Sequence, residues 1–391
     1  MDPTTSIIFN LQIIYLVLDT MAEEKSINGL LRAIIPKVTR SGIAITGMLF
    51  WICLFLPLAV SGQGNPKSVN GLTASESGTI VPVHSKTQLG ILENQFTLNG
   101  KPTFLYGISY YGALGASAAF IRKDLADMKK NSFNWIRIWA NWTGFDADIS
   151  AVDDHGNPRK AFLDKLKWIV MECDRKGIIV DVTLSHGDGL NDFDAHQRAV
   201  ETLVTILRPY RNWYLDLANE RDIRDTRFIG FGELKRLHEA AKKLYPQLLI
   251  TASAGNDISR KDLKEYLQTV QVDFISPHRP RDQASPLQTK AKSHEYLSWM
   301  KDLGQTVPIH YQEPFRRGYT QWQPKAEDYI TDLNGARAGG AAGWCFHNGD
   351  QREVNNGIPR RSFDMREKRL FDQLDKEELR AIKIIDKLMS R

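Results

Sequence analysis

The chain has 391 residues, 42% apolar and 25% charged, an ordinary globular composition that allows one large domain or two or three small ones. Lys and Arg outnumber Asp and Glu by 51 to 46, and the excess is spread along the chain, which excludes a basic arm for nucleic acid. Three cysteines exclude a disulfide framework: Cys53 lies in an apolar run, Cys173 on a helical stripe and Cys345 in a strand-like segment, and all three read as buried thiols.

Residues 1–62 differ from the rest. Eighteen consecutive residues, 43–60 (IAITGMLFWICLFLPLAV), carry no charge; Lys37 and Arg40 precede them and Ser61-Gly62-Gln63-Gly64 follow. A basic flank, an apolar run and small residues make an export signal, with an uncleaved membrane anchor as the alternative. Either places the rest of the chain outside the cytoplasm: secreted, periplasmic or membrane-anchored. The run lies behind another apolar stretch at 7–18, which points to a translation start at Met21 or later. Residues 63–90, rich in Gly, Ser, Thr and Val, read as a linker, and 91–391 as one folded domain.

From residue 91 the pattern is regular. Phe96-Thr97-Leu98, Asn99-Gly100 and Phe104-Leu105 read as a hairpin, because Asn-Gly suits a type I′ turn. Eight strand-like segments follow, at 104–109, 135–140, 178–185, 213–218, 248–252, 272–277, 307–313 and 341–346. Helical stripes lie between them: Phe162, Leu166, Ile169 and Cys173 with Gly177 as C-cap; Leu234, Leu237, Ala241 and Leu244 before Pro246; Leu263, Leu267 and Val270; Leu297, Met300 and Leu303; Ile330 and Leu333. A last helix covers 375–389. Eight β/α alternations specify an α/β fold, a (β/α)8 TIM barrel in a single catalytic domain. A doubly wound sheet is the competitor, and no Gly-rich phosphate loop follows the first strand.

Strand alternation assigns the faces. Ile136 and Ile138 oppose Trp135, Arg137 and Trp139. Ile178, Val180, Val182 and Leu184 oppose Asp181, Thr183 and Ser185. Leu215 and Leu217 oppose Asp216 and Glu220. The apolar faces meet the helices, so Arg137, Asp181, Asp216 and Glu220 point into the barrel, where buried charges must pair. Asp181 and Asp216 serve either as an internal ion network or as part of a site. Glu220 ends strand four, and barrel chemistry sits at that end.

Glu313 ends strand seven in Pro308-Ile309-His310-Tyr311-Gln312-Glu313-Pro314, across the barrel mouth from Glu220. Two facing carboxyl groups can hydrolyse a glycoside: one protonates the leaving oxygen, the other attacks the anomeric carbon or activates water. The aromatics near the mouth are Tyr110, Tyr111, Trp139, Trp142, Trp322 and Trp344, whose faces can stack on sugar rings; Trp142 and Trp322 read equally as loop packing. Arg279, Arg281, Arg316 and Arg317 follow strands six and seven, as solvated loop charges or as an acidic-glycan site. No metal-ligand spacing is present, and neither metal nor cofactor is expected.

The segment WYLDLANERD at 213–222 resembles the fourth strand of clan A glycoside hydrolases, the cellulase and mannanase type of family five, which carry Asn-Glu there and a second Glu at the end of strand seven. Asn219-Glu220 and Glu313 match in type, order and spacing, and the resemblance spans about residues 93–375. It implies a retaining mechanism with Glu220 as acid/base, Glu313 as nucleophile, Asn219 on the sugar 2-hydroxyl, Arg137 orienting the nucleophile and Trp344 stacking on sugar. His186 matches the family histidine near the end of strand three. The sequence departs from the family after strand six, where Pro277-His278-Arg279-Pro280 keeps the His of His-x-Tyr and lacks the Tyr; Tyr311 is the candidate replacement. The implied partner is a carbohydrate substrate. The alternatives are a non-catalytic cell-surface carbohydrate-binding barrel and another barrel enzyme such as an isomerase or aldolase. For the last, no metal cluster, Schiff-base lysine or phosphate loop is found.

Overall fold

Asn99 and Gly100 stand at φ 52° and 78°, the two left-handed positions a type I′ turn needs, and they join Gln95–Leu98 to Lys101–Pro102. A further strand, Leu89–Leu92, pairs antiparallel with Gln95–Leu98, so the hairpin supplies two strands of a three-stranded sheet; its second arm is Lys101–Pro102 rather than the expected Phe104-Leu105, and Leu105 opens the first barrel strand. The computed structural model of the chain describes residues 85–144, 147–187, 189–348 and 364–389. The segment expected to direct export and most of the expected linker, within residues 1–84, lie outside the described residues, as does Cys53. The linker reading fails at its C-terminal end. Ser85 and Thr87 bind the Asp174 carboxylate at 2.6 and 2.9 Å, and strand structure starts at Leu89.

Eight parallel strands follow. Seven form one sheet: Leu105–Ser109, Trp135–Trp139, Ile179–Thr183, Trp213–Asp216 and Ile250–Thr251 on one side, with Gly343–Phe346 and His310–Tyr311 on the other flank of the first. The sixth, Ser276–Pro277, pairs with Ser253–Ala254, and Ile275 bridges to Ile309. The fifth and seventh strands are thereby joined through the sixth, and the barrel closes. Each expected strand overlaps an observed one, but the segments are shorter than the alternation suggests. Strands six and seven shrink most, to two residues each; Val272 and Phe274 precede strand six, and Val307 and Ile309 precede strand seven, as buried packing residues.

Among the described residues eight helices wrap the barrel: α1 Ala118–Lys130, α2 Lys160–Lys176, α3 Phe193–Leu207, α4 Phe231–Leu244, α5 Arg260–Lys264 (continued by a wider turn over Glu265–Val270), α6 Ser285–Asp302, α7 Ala326–Ala338 and α8 Lys376–Met389. Gly177 ends α2 at φ 70°. The stripes expected at 162–173, 234–244, 263–270, 297–303 and 330–333 fall on α2, α4, α5, α6 and α7, α8 covers the span expected for the last helix, and α1 and α3 are additions. Ser117 and Asp192 cap their N-termini through the side chain, a signal that was legible. Among the described residues no helix is long and apolar enough to cross a membrane.

Ile136, Ile138, Val180, Val182, Leu215 and Leu217 join the outer core against the helices, as alternation requires. The barrel interior is a separate cluster of Leu105, Trp135, Ile179, Tyr214, Phe274 and Cys345, sealed from the N-terminal side by Leu89 and Phe96 of the three-stranded sheet. Phe96 packs edge-on against Phe274, with ring centres 5.0 Å apart. Trp135 fits because position 107 is glycine: a Cβ there would lie 2.1 Å from the indole. This plug covers the N-terminal end of the barrel, and Glu220 and Glu313 sit at the opposite end. Cys173 and Cys345 are buried thiols.

Candidate active site

The site rests on an ion network that fills the upper barrel. Arg137 is fully buried and binds Asp181 at 3.2 Å and Asp216 at 2.8 Å. It also donates to Asn219 Oδ1 at 3.0 Å and pairs with Glu313 Oε1. Asp181 in turn accepts from Tyr214 at 3.0 Å and Gln312 at 2.8 Å, and Asp216 accepts from the Ser253 amide at 3.0 Å. The lower carboxylates therefore tie strands two, three, four, five and seven together, the internal-network reading. Asp181 does not reach the two glutamates, and burial raises its pKa to about 8 against the pull of Arg137.

Glu220 follows strand four at φ 48°, a left-handed conformation unusual for a side chain larger than glycine. Its amide donates to Ser253 Oγ at 3.2 Å, which fixes this turn against strand five. The turn aims the carboxylate across the mouth: Oε2 accepts from Arg227 Nη1 at 2.8 Å, and Oε1 accepts from Arg281 Nη2 at 3.0 Å and lies 3.3 Å from His278 Nδ1. Glu313 faces it. Its Oε2 accepts from Arg281 Nη2 at 2.8 Å, with His347 Nε2 at 3.6 Å and His278 Nδ1 at 3.8 Å. One oxygen of each glutamate and one nitrogen of His278 lie within 4.8 Å of one another. Such a triad has the donor set of a cation site, but the guanidinium of Arg281 already supplies positive charge between the two carboxylates.

Burial opposes ionisation of both glutamates. At Glu313, His278, His347, Arg137 and Arg281 outweigh burial and hold the carboxyl well below its ordinary value. At Glu220, the hydrogen bond from His278 and the charge of Arg281 outweigh burial and the repulsion from Glu313, so its pKa is also lowered. His347 goes the same way: burial, with Arg316 and Arg281 nearby, holds it well below the usual histidine value despite Glu313.

Of the expected residues, Glu220, Glu313, Arg137, Asn219 and His278 converge. Trp344 does not. It is fully buried on the helix side of strand eight, stacked near Tyr106 and bonded through its indole N–H to Asp332 at 2.6 Å. Gly343 and Cys345 face inward instead, and alternation carries Trp344 and Phe346 outward. Tyr311 also turns outward, to within 2.7 Å of Ser293 on α6, and is no replacement for the missing tyrosine. Strand seven ends at Tyr311, so Glu313 does not continue its alternation. Tyr110 bonds Asp124 on α1 at 3.0 Å. His186 bonds His196 of α3, Nδ1 to Nδ1 at 3.0 Å, and makes no contact with the carboxylate pair.

The neighbouring Tyr111 takes the place read for Tyr110. It lies under Arg137 (5.8 Å from the ring centre) and stacks on Trp139 at 5.0 Å. Trp139 is half-buried at the mouth, with Trp142 edge-on at 6.0 Å, whereas Trp322 packs on Phe315 at 4.9 Å. Of the four loop arginines, Arg279 pairs with Asp257 and Arg317 with Asp375, while Arg281 and Arg316 flank Tyr319, each 4.6 Å from its ring centre. His347 and Arg227 were missed. His347 directly follows strand eight, a position whose meaning was legible; Arg227 lies in a loop with no periodic signal.

No protein-family model matches the chain, and no curated protein does. Solved structures do. A Bacteroides vulgatus ATCC 8482 protein described as a glycoside hydrolase superposes with a TM-score of 0.60 at 13% identity, over 78% of this chain and 61% of that one. A family 5 mannosidase from Rhizomucor miehei, in complex with mannosyl-fructose, gives 0.54 at 14% identity, over 78% of this chain and 97% of that one. The catalytic domain of a mannanase from Streptomyces sp. SirexAA-E gives 0.52 at 16% identity, over 83% and 98%. This chain spans less than two thirds of the Bacteroides vulgatus structure. At these identities the likeness establishes the fold alone: a (β/α)8 barrel like those of the three structures.

Proposed function

We propose that the protein is a glycoside hydrolase that cleaves O-glycosidic bonds of a poly- or oligosaccharide by a retaining double displacement. The observation that carries this reading is the pair of carboxylates after strands four and seven, with oxygens within 4.8 Å of each other. An inverting pair is set about 6.5–9.5 Å apart to admit a water, and a retaining pair about 5–5.5 Å apart. Glu313, pinned by Arg137 and ionised, attacks the anomeric carbon. Glu220 gives its proton to the leaving oxygen, then takes one from the water that releases the sugar. Asn219, held by Arg137, is placed for a substrate hydroxyl, and Trp139 with Tyr111 for the apolar face of a ring. The family 5 fold and the mannosidase and mannanase names among its likenesses support starting with mannosides. Residues 43–60 support action outside the cytoplasm, with the barrel secreted or tethered.

The test is a panel of defined oligosaccharides, mannosides first, with Glu313→Gln as the control. Cleavage by the wild type, lost in the variant and with the anomeric configuration kept, is the expected result. Binding without cleavage by either protein would replace this reading with a non-catalytic carbohydrate-binding barrel.

A further inference from the structure

Resting on the glycosidase reading, we infer that the substrate is an acidic glycan, whose oxyanion draws Arg281 off the carboxylate pair to a seat shared with Arg316 beside Tyr319. Arg281 Nη2 stands 3.0 Å from Glu220 and 2.8 Å from Glu313. In a double displacement the scissile bond lies between those two carboxyl groups, the leaving oxygen against one and the anomeric carbon against the other. The guanidinium and the scissile bond cannot occupy that space together, so Arg281 must move before a sugar binds.

The move is costly unless something receives the charge. Arg281 is largely buried, its side chain 14% exposed, and leaving two carboxylates forfeits both ion pairs. Its surroundings away from the glutamates are Tyr319 and Arg316. The two guanidinium carbons are each 4.6 Å from that one ring centre. Like charges this close repel: burial, then the charge of Arg281, lowers Arg316 to about 10. A neutral sugar would drive Arg281 toward this repulsion with no compensation. A carboxylate or sulfate on the sugar would bridge the two arginines with charge-assisted hydrogen bonds.

The same displacement has a chemical consequence. Arg281 and His278 are what hold the Glu220 carboxyl below its ordinary value, against burial and Glu313. Removing Arg281 leaves the burial and the repulsion from Glu313 less opposed, so the Glu220 pKa rises toward what a proton donor needs, while His278 and Arg227 stay in contact with it. An acidic sugar would thus clear the site and arm the acid together, whereas a neutral one would have to do the first unaided.

The experiment compares neutral, uronate-bearing and sulfated oligosaccharides of one length on the wild type and on Arg281→Ala, measuring kcat/KM and, by calorimetry, binding. The expected result is a preference of tenfold or more for one acidic class in the wild type, weakening as salt is raised. Uronate against sulfate identifies the oxyanion. In Arg281→Ala the preference should collapse, with acidic substrates cut more slowly and neutral ones faster, and the basic limb of the pH profile, set by Glu220, shifted upward. Equal kcat/KM for neutral and acidic substrates, or equal loss on both in Arg281→Ala, would overturn the inference and leave Arg281 as a positioning residue. Where no oligosaccharide is cut, the glycosidase reading fails separately. Tighter binding of the acidic member, abolished by Arg281→Ala, would still uphold the oxyanion seat, and equal binding of all three would reject it.

Discussion

Arg137 on strand two and Glu313 after strand seven form an ion pair inside the barrel, and the same guanidinium also holds Asp181, Asp216 and Asn219. The residue that orients the proposed nucleophile is therefore also the only cation bound to Asp181 and Asp216 among the described ion pairs. Replacing Arg137 with Met would leave buried carboxylates without a counter-charge, which typically costs about 3–5 kcal/mol. Urea unfolding of Arg137→Met should show a loss of that order alongside the loss of activity. Arg137→Lys should keep part of the stability, because a single ammonium can serve one carboxylate well but not three. Unchanged stability in Arg137→Met would mean that the network carries little of the fold.

Glu220 sits at φ 48°, where a side chain costs about 1–2 kcal/mol over glycine. Glycine in turn loses about 0.4–1 kcal/mol to the entropy of its unfolded chain. Relief of strain is the larger effect, so Glu220→Gly should be more stable than Glu220→Ala, by roughly 0.5 kcal/mol or more, the reverse of their order in a helix. Both variants lose the same carboxylate, so their difference isolates the backbone. A more stable Glu220→Ala would place this residue outside the left-handed region.

The strand ladder and its inward charges were legible because period-two alternation survives wherever a barrel is apolar outside and polar inside, as at Ile136-Arg137-Ile138. Helix stripes were legible for the same reason at period 3.6. Errors cluster where strands end. Trp344 was assigned to the mouth by likeness alone, although counting inward from Cys345 puts it outside. Tyr311 shares parity with Glu313 on paper, but the backbone leaves the strand between them. Arg281 was visible only as one of four loop arginines. Nothing local separates it from Arg279, whose partner Asp257 lies 22 residues away in sequence. Loop contacts of that kind are decided by tertiary packing.

Burial lowers His310 and His196 to about 3: His310 packs edge-on against Trp135 at 4.5 Å, and His196 stacks beside His186 at 5.2 Å. Both folded values lie below the unfolded one of about 6.5. The stability they contribute is complete above that value and falls as pH drops toward 3, by about 1.4 kcal/mol per unit for each. Asp181, raised to about 8, acts oppositely and weakens the fold as pH rises from about 4. Two histidines outweigh one aspartate, so urea midpoints should decline from pH 6.5 to pH 5. His310→Phe, which keeps the packing and cannot be protonated, should flatten that decline. A midpoint that rises on acidification would show that the aspartate dominates.

The two glutamates should be separable by chemistry. Glu220→Ala leaves Glu313 able to attack, so a substrate whose leaving group needs no protonation should still form the glycosyl-enzyme. Release then lacks a base, and azide, which needs none, should restore turnover and give a glycosyl azide of retained configuration. Glu313→Ala removes the nucleophile, so no covalent intermediate forms, and azide could at most enter from the opposite face to give the inverted product. The positions support this division: Glu313 is paired with Arg137 and held ionised, as a nucleophile must be, while Glu220 is held by Arg227 and Arg281 from loops. Circular dichroism on both variants would confirm that neither has lost the barrel. A retained glycosyl azide from Glu313→Ala and none from Glu220→Ala would reverse the two roles. Full activity in either variant would remove that residue from the mechanism.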